Sequence, residues 1–558
     1  MNPLNTIFDA KRLIGRRFRD NNLQNDTDVR PFKVINTIDP GKTDQPMISV
    51  NYLGKEKKFT PEEISAMTLA KMKAVAEAFT GSIVNHAVIS VPAFFNDSQR
   101  RATKHAGFIA GFNVVHIINE PTATAMAYYD LEMKMNRINK NPKIVLVFDL
   151  GGGTFDVSLV VIEKARITVK AVSGDTHLGG ADFDNRMVRG FVMEFEQKHK
   201  KDISKNAGAL ARLRVASEKA KRVLSLLPQA DVQIDCLFED IDFNSTITRA
   251  SFEHLNMDLF EKCIDIVEQC LSYAGVNKLA VHDIVLVGGS SRIPKVQQMV
   301  QEFFNGKELC KHVHADEAVA FGAAMHAFSK SNGTITNKDI VLSDVTPLPL
   351  GVELIYGKMD FIIPMNEPIP IKFRHRSYPL AEDSYNGFKF GVYEGDQTNV
   401  KDNNYLGLCE FFCYHFPRGT TYIHVYFSVD EDGLLSVSAE VKEMGRLSQR
   451  IYMNHHGRLT QTEIVRMINE AEHYKAQIEK RRKLLQEKSD LENYVKNISD
   501  GLDDEGTIDI NDLELERMKQ AALDSALQLL ERNSDLSEIS VLAYKLEELK
   551  NIFGDFES

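Results

Sequence analysis

The run Ile144-Val-Leu-Val-Phe-Asp-Leu-Gly-Gly-Gly-Thr-Phe-Asp-Val-Ser-Leu-Val-Val161 sets two Val- and Leu-rich segments on either side of Gly151, Gly152 and Gly153. Such composition on both sides argues for two strands, so the glycines are expected to close a hairpin. A Walker loop would open a helix instead and carry Gly-Lys-[Ser/Thr], which does not follow here. Lacking Cβ atoms, the glycines let backbone N–H groups converge on an anion. Thr154 adds a hydroxyl, and Asp149 and Asp156 straddle the turn, where carboxylates can hold the water shell of a magnesium ion bridging phosphates. An ordinary tight turn accounts for a glycine triplet alone; the flanking acids and the threonine point to a phosphate hairpin.

A second glycine site, Asp283-Ile-Val-Leu-Val-Gly-Gly-Ser-Ser-Arg-Ile-Pro-Lys295, runs from strand into helix, with Pro294 suited to the first helical turn. Gly288 and Gly289, followed by Ser290, allow a nucleotide close approach, and the planar guanidinium of Arg292 can stack on a base. Glu218, Lys221, Arg222 and Ser225 share one helical face able to grip a ribose and base. Taken by itself, that helix is better read as a solvated charged face; the glycine site beside it favours the nucleotide reading.

Strand-like runs alternate with helical periodicity from residue 1 to about 336, the pattern of an α/β domain. Residues 337–350, with two close prolines in Thr346-Pro-Leu-Pro-Leu350, read as an extended linker. Over 351–456 the period becomes two: Val425, Phe427 and Val429 share one face of a strand, and Leu435, Val437 and Ala439 one face of another, which argues for an antiparallel β-domain. From 457 to 558 the reading is helical, with Ile464, Met467, Ile468, Ala471, Tyr474 and Ile478 at helical spacing. The acidic stretch Asp500 to Glu505 fails as a calcium loop, because Gly501 stands where an oxygen ligand is needed.

A chain of 558 residues is too long for one core, and 43% apolar with 26% charged residues is ordinary globular composition. The net charge of -11 argues against nucleic acid or an anionic membrane surface as partner. No run approaches the length of a spanning helix and no apolar signal core opens the chain, so a cytoplasmic location is expected. Cys236, Cys263, Cys270, Cys310, Cys409 and Cys413 show neither CxxC nor zinc spacing and read as free thiols.

Asp149 to Asp156, Gly174-Asp-Thr-His-Leu-Gly-Gly180, Ile117-Ile-Asn-Glu-Pro-Thr122, Gly288-Gly-Ser-Ser-Arg292 and Phe8-Asp-Ala-Lys-Arg-Leu-Ile-Gly-Arg-Arg17 resemble signatures of the heat shock protein 70 family, close to its cytosolic branch. The resemblance runs in family order over nearly the whole chain. It implies a two-lobed actin-like α/β ATPase domain, an antiparallel β-sandwich that binds peptides, and an α-helical lid. It further implies ATP/ADP and Mg2+ as cofactors, with K+ as an additional candidate, and a stress-response chaperone that binds short apolar segments of unfolded polypeptides. J-domain co-chaperones and nucleotide-exchange factors are the family's partners.

Carried over by motif, Lys11 orients the attacking water and Thr154 contacts the γ-phosphate. Glu120, Asp149 and Asp156 hold magnesium and its waters, and Asp149 accepts the water's proton. Gly151, Gly152, Gly153, Gly179, Gly180, Gly288, Gly289, Ser290 and Arg292 contact phosphates or adenosine, alongside Glu218, Lys221, Arg222, Ser225 and Asp316. His177 reads as structural. Val352, Leu354, Ile355, Tyr378, Phe388, Phe390 and Leu434 match groove-lining positions, although core packing accounts for them too.

Met1-Asn-Pro-Leu-Asn5 matches a point inside the family's first lobe, so the chain reads as N-terminally truncated, without the first phosphate loop, and impaired hydrolysis is expected. Ala181 replaces a family glutamate, and Ser343 interrupts an apolar linker, which should weaken its docking. If Phe388 faces the central pocket, it should weaken or alter peptide preference. Asn551 to Ser558 lacks the acidic motif that recruits tetratricopeptide adaptors. The alternative is a nucleotide-independent holdase or regulatory protein.

Overall fold

The computed structural model describes residues 2–20, 23, 30–37, 44–52, 54–135, 141–164, 166–332, 340–380, 382–384, 387–412, 416–418, 421–443, 446–455, 459–502, 513–531 and 539–553. They form two compact units, residues 1–464 and 465–558.

In the first unit the hairpin strands Lys143–Leu150 and Phe155–Glu163 pair antiparallel with Asp149 opposite Asp156. They are central in a six-stranded sheet ordered Asp283–Val287, Lys143–Leu150, Phe155–Glu163, Arg166–Asp175, Val341–Val345 and Pro368–Ile369. Alternate residues feed two cores: Leu146, Phe148 and Leu150 join one, Val145 and Val147 the other. A sheet buried on both faces explains why these strands read as continuous apolar runs and not as alternating ones. Helices Gly180–His199, Ala207–Leu224 and Met257–Ala274 supply the first core, and Glu120–Lys134 the second.

A parallel pair, His86–Val91 and Asn113–Asn119, leads into two helix starts. Asn96 caps helix Asp97–Ile109 in a reciprocal box with Gln99, and Glu120 opens the helix after the second strand. Helix Pro61–Thr80 has the same device in Thr60 and Glu63 and ends at Gly81, whose φ of 64° suits glycine.

Residues 337–339 lie outside the described residues, but Val341–Val345 is a strand of the six-stranded sheet, parallel to Arg166–Asp175, with Ser343 opposite Thr168. On its other side Asp344 pairs with Ile369. An extended segment laid on a sheet margin finds partners for its backbone groups there, which an apolar stretch in water does not provide. Ser343 is half-buried within the strand and does not interrupt it. Pro347 and Pro349 fall after the strand, where no ladder N–H is lost.

Beyond residue 349 two antiparallel sheets share one core. Five strands, Met359–Ile363, Leu350–Glu353, Phe388–Glu394, Asn404–Phe411 and Asn454–His455, face four, Ile371–Pro379, Thr421–Val429, Leu435–Glu443 and Arg446–Tyr452. Val352, Val392 and Leu406 meet Val425, Phe427, Val437 and Ala439 between them. The turn Asp430–Leu434 rests on the first part of the unit. Asp432 pairs with Lys104 and His116, Glu431 with Lys330, and Arg101 donates to the Leu435 carbonyl.

Leu513–Glu531 and Ile539–Phe553 are helices of the second unit, as is most of Gln461–Leu502, and they bury Leu491, Val495, Ala526, Leu542 and Leu549 together. Of the periodic positions near the start of the long helix, Ile464 and Met467 are buried while Ile478 is exposed. The acidic stretch from Asp500 extends beyond the described residues at 503, and the last five residues also lie outside them. Among the described residues no helix is long and apolar enough to cross a membrane.

Candidate functional site

Three glycine segments far apart in sequence converge at the hairpin. Gly180 N–H donates to the Gly151 carbonyl at 3.0 Å and Ala181 N–H to the Gly152 carbonyl at 2.8 Å. Ser290 Oγ donates to the same Gly151 carbonyl at 2.9 Å. Gly288 has a φ of 79°, and a Cβ there would lie 2.3 Å from the Leu150 carbonyl oxygen, so glycine is required on both counts. Ala181 contributes through its backbone N–H.

Beside these turns sits a charged cluster. The short turn Ala10–Arg12 brings Lys11 Nζ to 2.6 Å from Glu120 Oε1. Burial opposes the ammonium charge, but Glu120, Asp149 and Asp156 outweigh it and hold Lys11 above its ordinary value. Burial, then the charge of Glu120, pushes the Asp149 carboxyl up to about 7, with Lys11 pulling the other way. Asp156 is raised by burial, Glu120 and Asp149. Its Oδ1 accepts from Phe94 N–H at 3.0 Å, while its buried Oδ2 has no hydrogen-bond partner. Three acids against one lysine, with one orphaned oxygen, suit a divalent cation. Among the described residues no group of three His, Cys, Asp or Glu side chains is placed to ligate one ion directly.

The adenosine-side residues are more committed to each other than their spacing suggests. Lys221 Nζ lies 2.7 Å from Asp184 Oδ2 and 3.0 Å from the Gly180 carbonyl, which ties it to the start of helix Gly180–His199. Arg292 grips Asp316 with both arms, at 3.0 and 2.8 Å, and the pair raises the arginine and lowers the acid. Glu218 and Arg222 are exposed, and Ser225 donates to the Lys221 carbonyl at 3.3 Å. Gly153, Thr154 and Gly289 complete the turns, and His177 N–H donates to Asp175 Oδ1.

Sequence reasoning missed Arg12 and Asp182. Arg12 donates through Nε to the Gly153 carbonyl at 3.1 Å and through both terminal nitrogens to Asp182. Its position beside Lys11 was its only signal.

Of the seven groove candidates, Val352, Tyr378, Phe388 and Phe390 meet at the core between the two sheets, and Leu434 lies apart from them. Leu354, Ile355 and Phe390 line one open cleft with Tyr356, Tyr393 and Leu408. Val352 is in the core between the sheets. Phe388 packs on Phe411 and Phe416, at ring distances of 4.9 and 5.5 Å, and so does not face that cleft. Tyr378 donates to Asp360 at 2.5 Å, and burial followed by that bond raises its hydroxyl pKa. Leu434 is buried in the turn that rests on the first part of the unit.

The Hsp70 protein family matches residues 1–557. The chain belongs to the Hsp70 family. It is 46% identical to heat shock 70 kDa protein 2 of Paracoccidioides lutzii over 99% of this chain and 83% of that protein. It is likewise 46% identical to heat shock cognate 70 kDa protein 3 of Dictyostelium discoideum, over 99% of this chain and 87% of the other. A ribosome-associated molecular chaperone of Eremothecium gossypii is 46% identical over 90% of this chain and 81% of its own length. Hsp70 proteins are nucleotide-binding chaperones that engage unfolded polypeptides and co-chaperones, so the convergent glycine turns and the acidic cluster of this Hsp70 chain are its candidate nucleotide site.

Proposed function

We propose that this Hsp70 chain is an ATP-dependent molecular chaperone in which the hairpin Asp149–Asp156 binds nucleotide phosphates. The observation that carries the reading is the meeting of three glycine turns beside Lys11, Glu120, Asp149 and Asp156. Glu120, Asp149 and Asp156 would hold Mg2+ through water, and bound Mg2+ supplies charge neutralisation at the phosphates. Lys11, held by Glu120, orients the attacking water. Asp149, with a pKa near neutrality, accepts that water's proton. The Thr154 hydroxyl donates to the γ-phosphate. Residues 1–336 are read as the nucleotide-binding region, 337–350 as its connection, 351–456 as the peptide-binding region and 457–558 as a lid. The cleft at Leu354, Ile355 and Phe390 would take apolar segments of unfolded chains in the cytoplasm, with J-domain proteins and exchange factors as partners.

Calorimetry with MgADP and fluorescence anisotropy with an apolar heptapeptide test the two halves separately. Both ligands should bind, and Asp149→Asn should abolish ATP turnover. A chain that bound peptide and no adenine nucleotide would overturn the reading.

A further inference from the structure

Arg12 is 3% exposed, although it carries a charge and sits one residue from Lys11 in a three-residue turn. Its guanidinium spans two structures: Nε reaches the Gly153 carbonyl at 3.1 Å, and Nη1 and Nη2 grip Asp182, with Nη1 at 3.0 Å from Oδ1. Asp182 Oδ2 in turn accepts from Gly179 N–H at 2.8 Å. A planar fork satisfied on both edges is a rigid strut.

The three hairpin carbonyls have one feature in common. The Gly151 oxygen accepts from Gly180 N–H and Ser290 Oγ, the Gly152 oxygen from Ala181 N–H, and the Gly153 oxygen from Arg12 Nε. In a trans peptide the N–H points opposite to the C=O. Turning each carbonyl into the protein therefore turns the N–H groups of Gly152, Gly153 and Thr154 outward as a set, which is the arrangement that cradles an anion. Backbone and hydroxyl donors fix the first two planes. Arg12 is the side chain that holds the third, and it brings a positive charge behind it.

We propose that Arg12 is a positioning residue for nucleotide phosphates, acting through the Gly153–Thr154 peptide and braced by Asp182. The inference rests on the nucleotide reading above and adds to it which residue sets the phosphate affinity. Arg12 need not touch the nucleotide.

The test compares ADP with adenosine, which has no phosphate, by calorimetry on the full chain. Arg12→Ala should weaken ADP binding roughly 10- to 100-fold, the size expected for a lost charge-assisted hydrogen bond, and leave adenosine affinity unchanged. Arg12→Lys, with one donor in place of a fork, and Asp182→Asn, which loosens the brace, should fall between. Should Arg12→Ala fail to fold, these two variants carry the test. An equal loss for ADP and adenosine would mean a merely structural role and overturn the proposal, as would no loss for either. Absence of both ligands from the unsubstituted chain would instead sink the nucleotide reading beneath it.

Discussion

The Asp97 backbone N–H donates to both oxygens of the Glu394 carboxylate, at 3.1 and 3.3 Å, so two buried acids stand face to face. The Asp97 carboxylate accepts from Leu435 N–H at 2.7 Å and pairs with Arg101. Burial first, then the charge of Asp97, pushes Glu394 up to about 8, while the Asp97 N–H, Arg100 and Asn404 oppose this. Folding thus takes up a proton between the ordinary 4.5 and about 8. The contribution is fully present below 4.5 and is lost as pH rises through 8. Thermal unfolding followed from pH 5 to 9 should show Glu394→Gln flattening this alkaline loss and gaining about 2 kcal/mol at the top of the range, since one buried like-charge contact is removed.

His326 should contribute to the acid limb, alongside Asp432, whose carboxyl, despite its burial, is held well below its ordinary value by His116, Lys104 and the Ile117 N–H. Burial, then His116 and Lys330, lowers His326 from 6.5 to about 4, against the pull of Glu431 and Asp432, and its Nε2 has no hydrogen-bond partner. A group kept neutral in the fold costs stability as pH drops from 6.5 towards 4, where the unfolded chain takes the proton first. His326→Gln should reduce that slope in the same unfolding series. An unchanged slope would move the effect to another group.

Gly288→Ala tests the convergence of the glycine turns. The positive φ alone costs about 1–3 kcal/mol for a residue with a Cβ, and the contact with the Leu150 carbonyl adds to it. Urea denaturation should register at least that loss, and ADP affinity should fall with it. Gly190→Ala, in open space within helix Gly180–His199, should leave ADP affinity unchanged and raise stability by up to about 1 kcal/mol.

Phe388 and Phe390 lie two residues apart on one strand and should behave differently. Phe388→Ala empties an aromatic cluster and should destabilise the chain by about 3 kcal/mol. Phe390→Ala alters the cleft beside Leu354 and should change heptapeptide affinity as well as stability, because Phe390 also packs on the core between the sheets. The reverse pattern would restore Phe388 to the groove.

The hairpin was readable because its information is local: strand composition, three glycines and two acids within eight residues. Val425, Phe427 and Val429 were readable for the same reason, each buried as alternation requires. Lys221, read by its helical face, was placed by Asp184 and Gly180, and no periodicity encodes that pairing. Period two puts Phe388 and Phe390 on the same face, so it could not separate core from cleft. Arg12 escaped because one arginine among several beside Lys11 becomes distinctive only when Gly153 and Asp182 are brought to it. The linker's apolar stretch carried strand character, but its partner strand, Arg166–Asp175, is remote in sequence.

The strand Val341–Val345 also bears on the order of events during synthesis. Three adjacent strands of its sheet, Lys143–Leu150, Phe155–Glu163 and Arg166–Asp175, are complete once residue 175 has been made, yet the margin of Arg166–Asp175 stays open until residues 341–345 arrive. Ile369, which pairs with Asp344, follows later still. Until residue 345 has been made, that margin has no partner strand to cover it, and the pairing that closes it spans the long separation in sequence that makes such contacts slow to form.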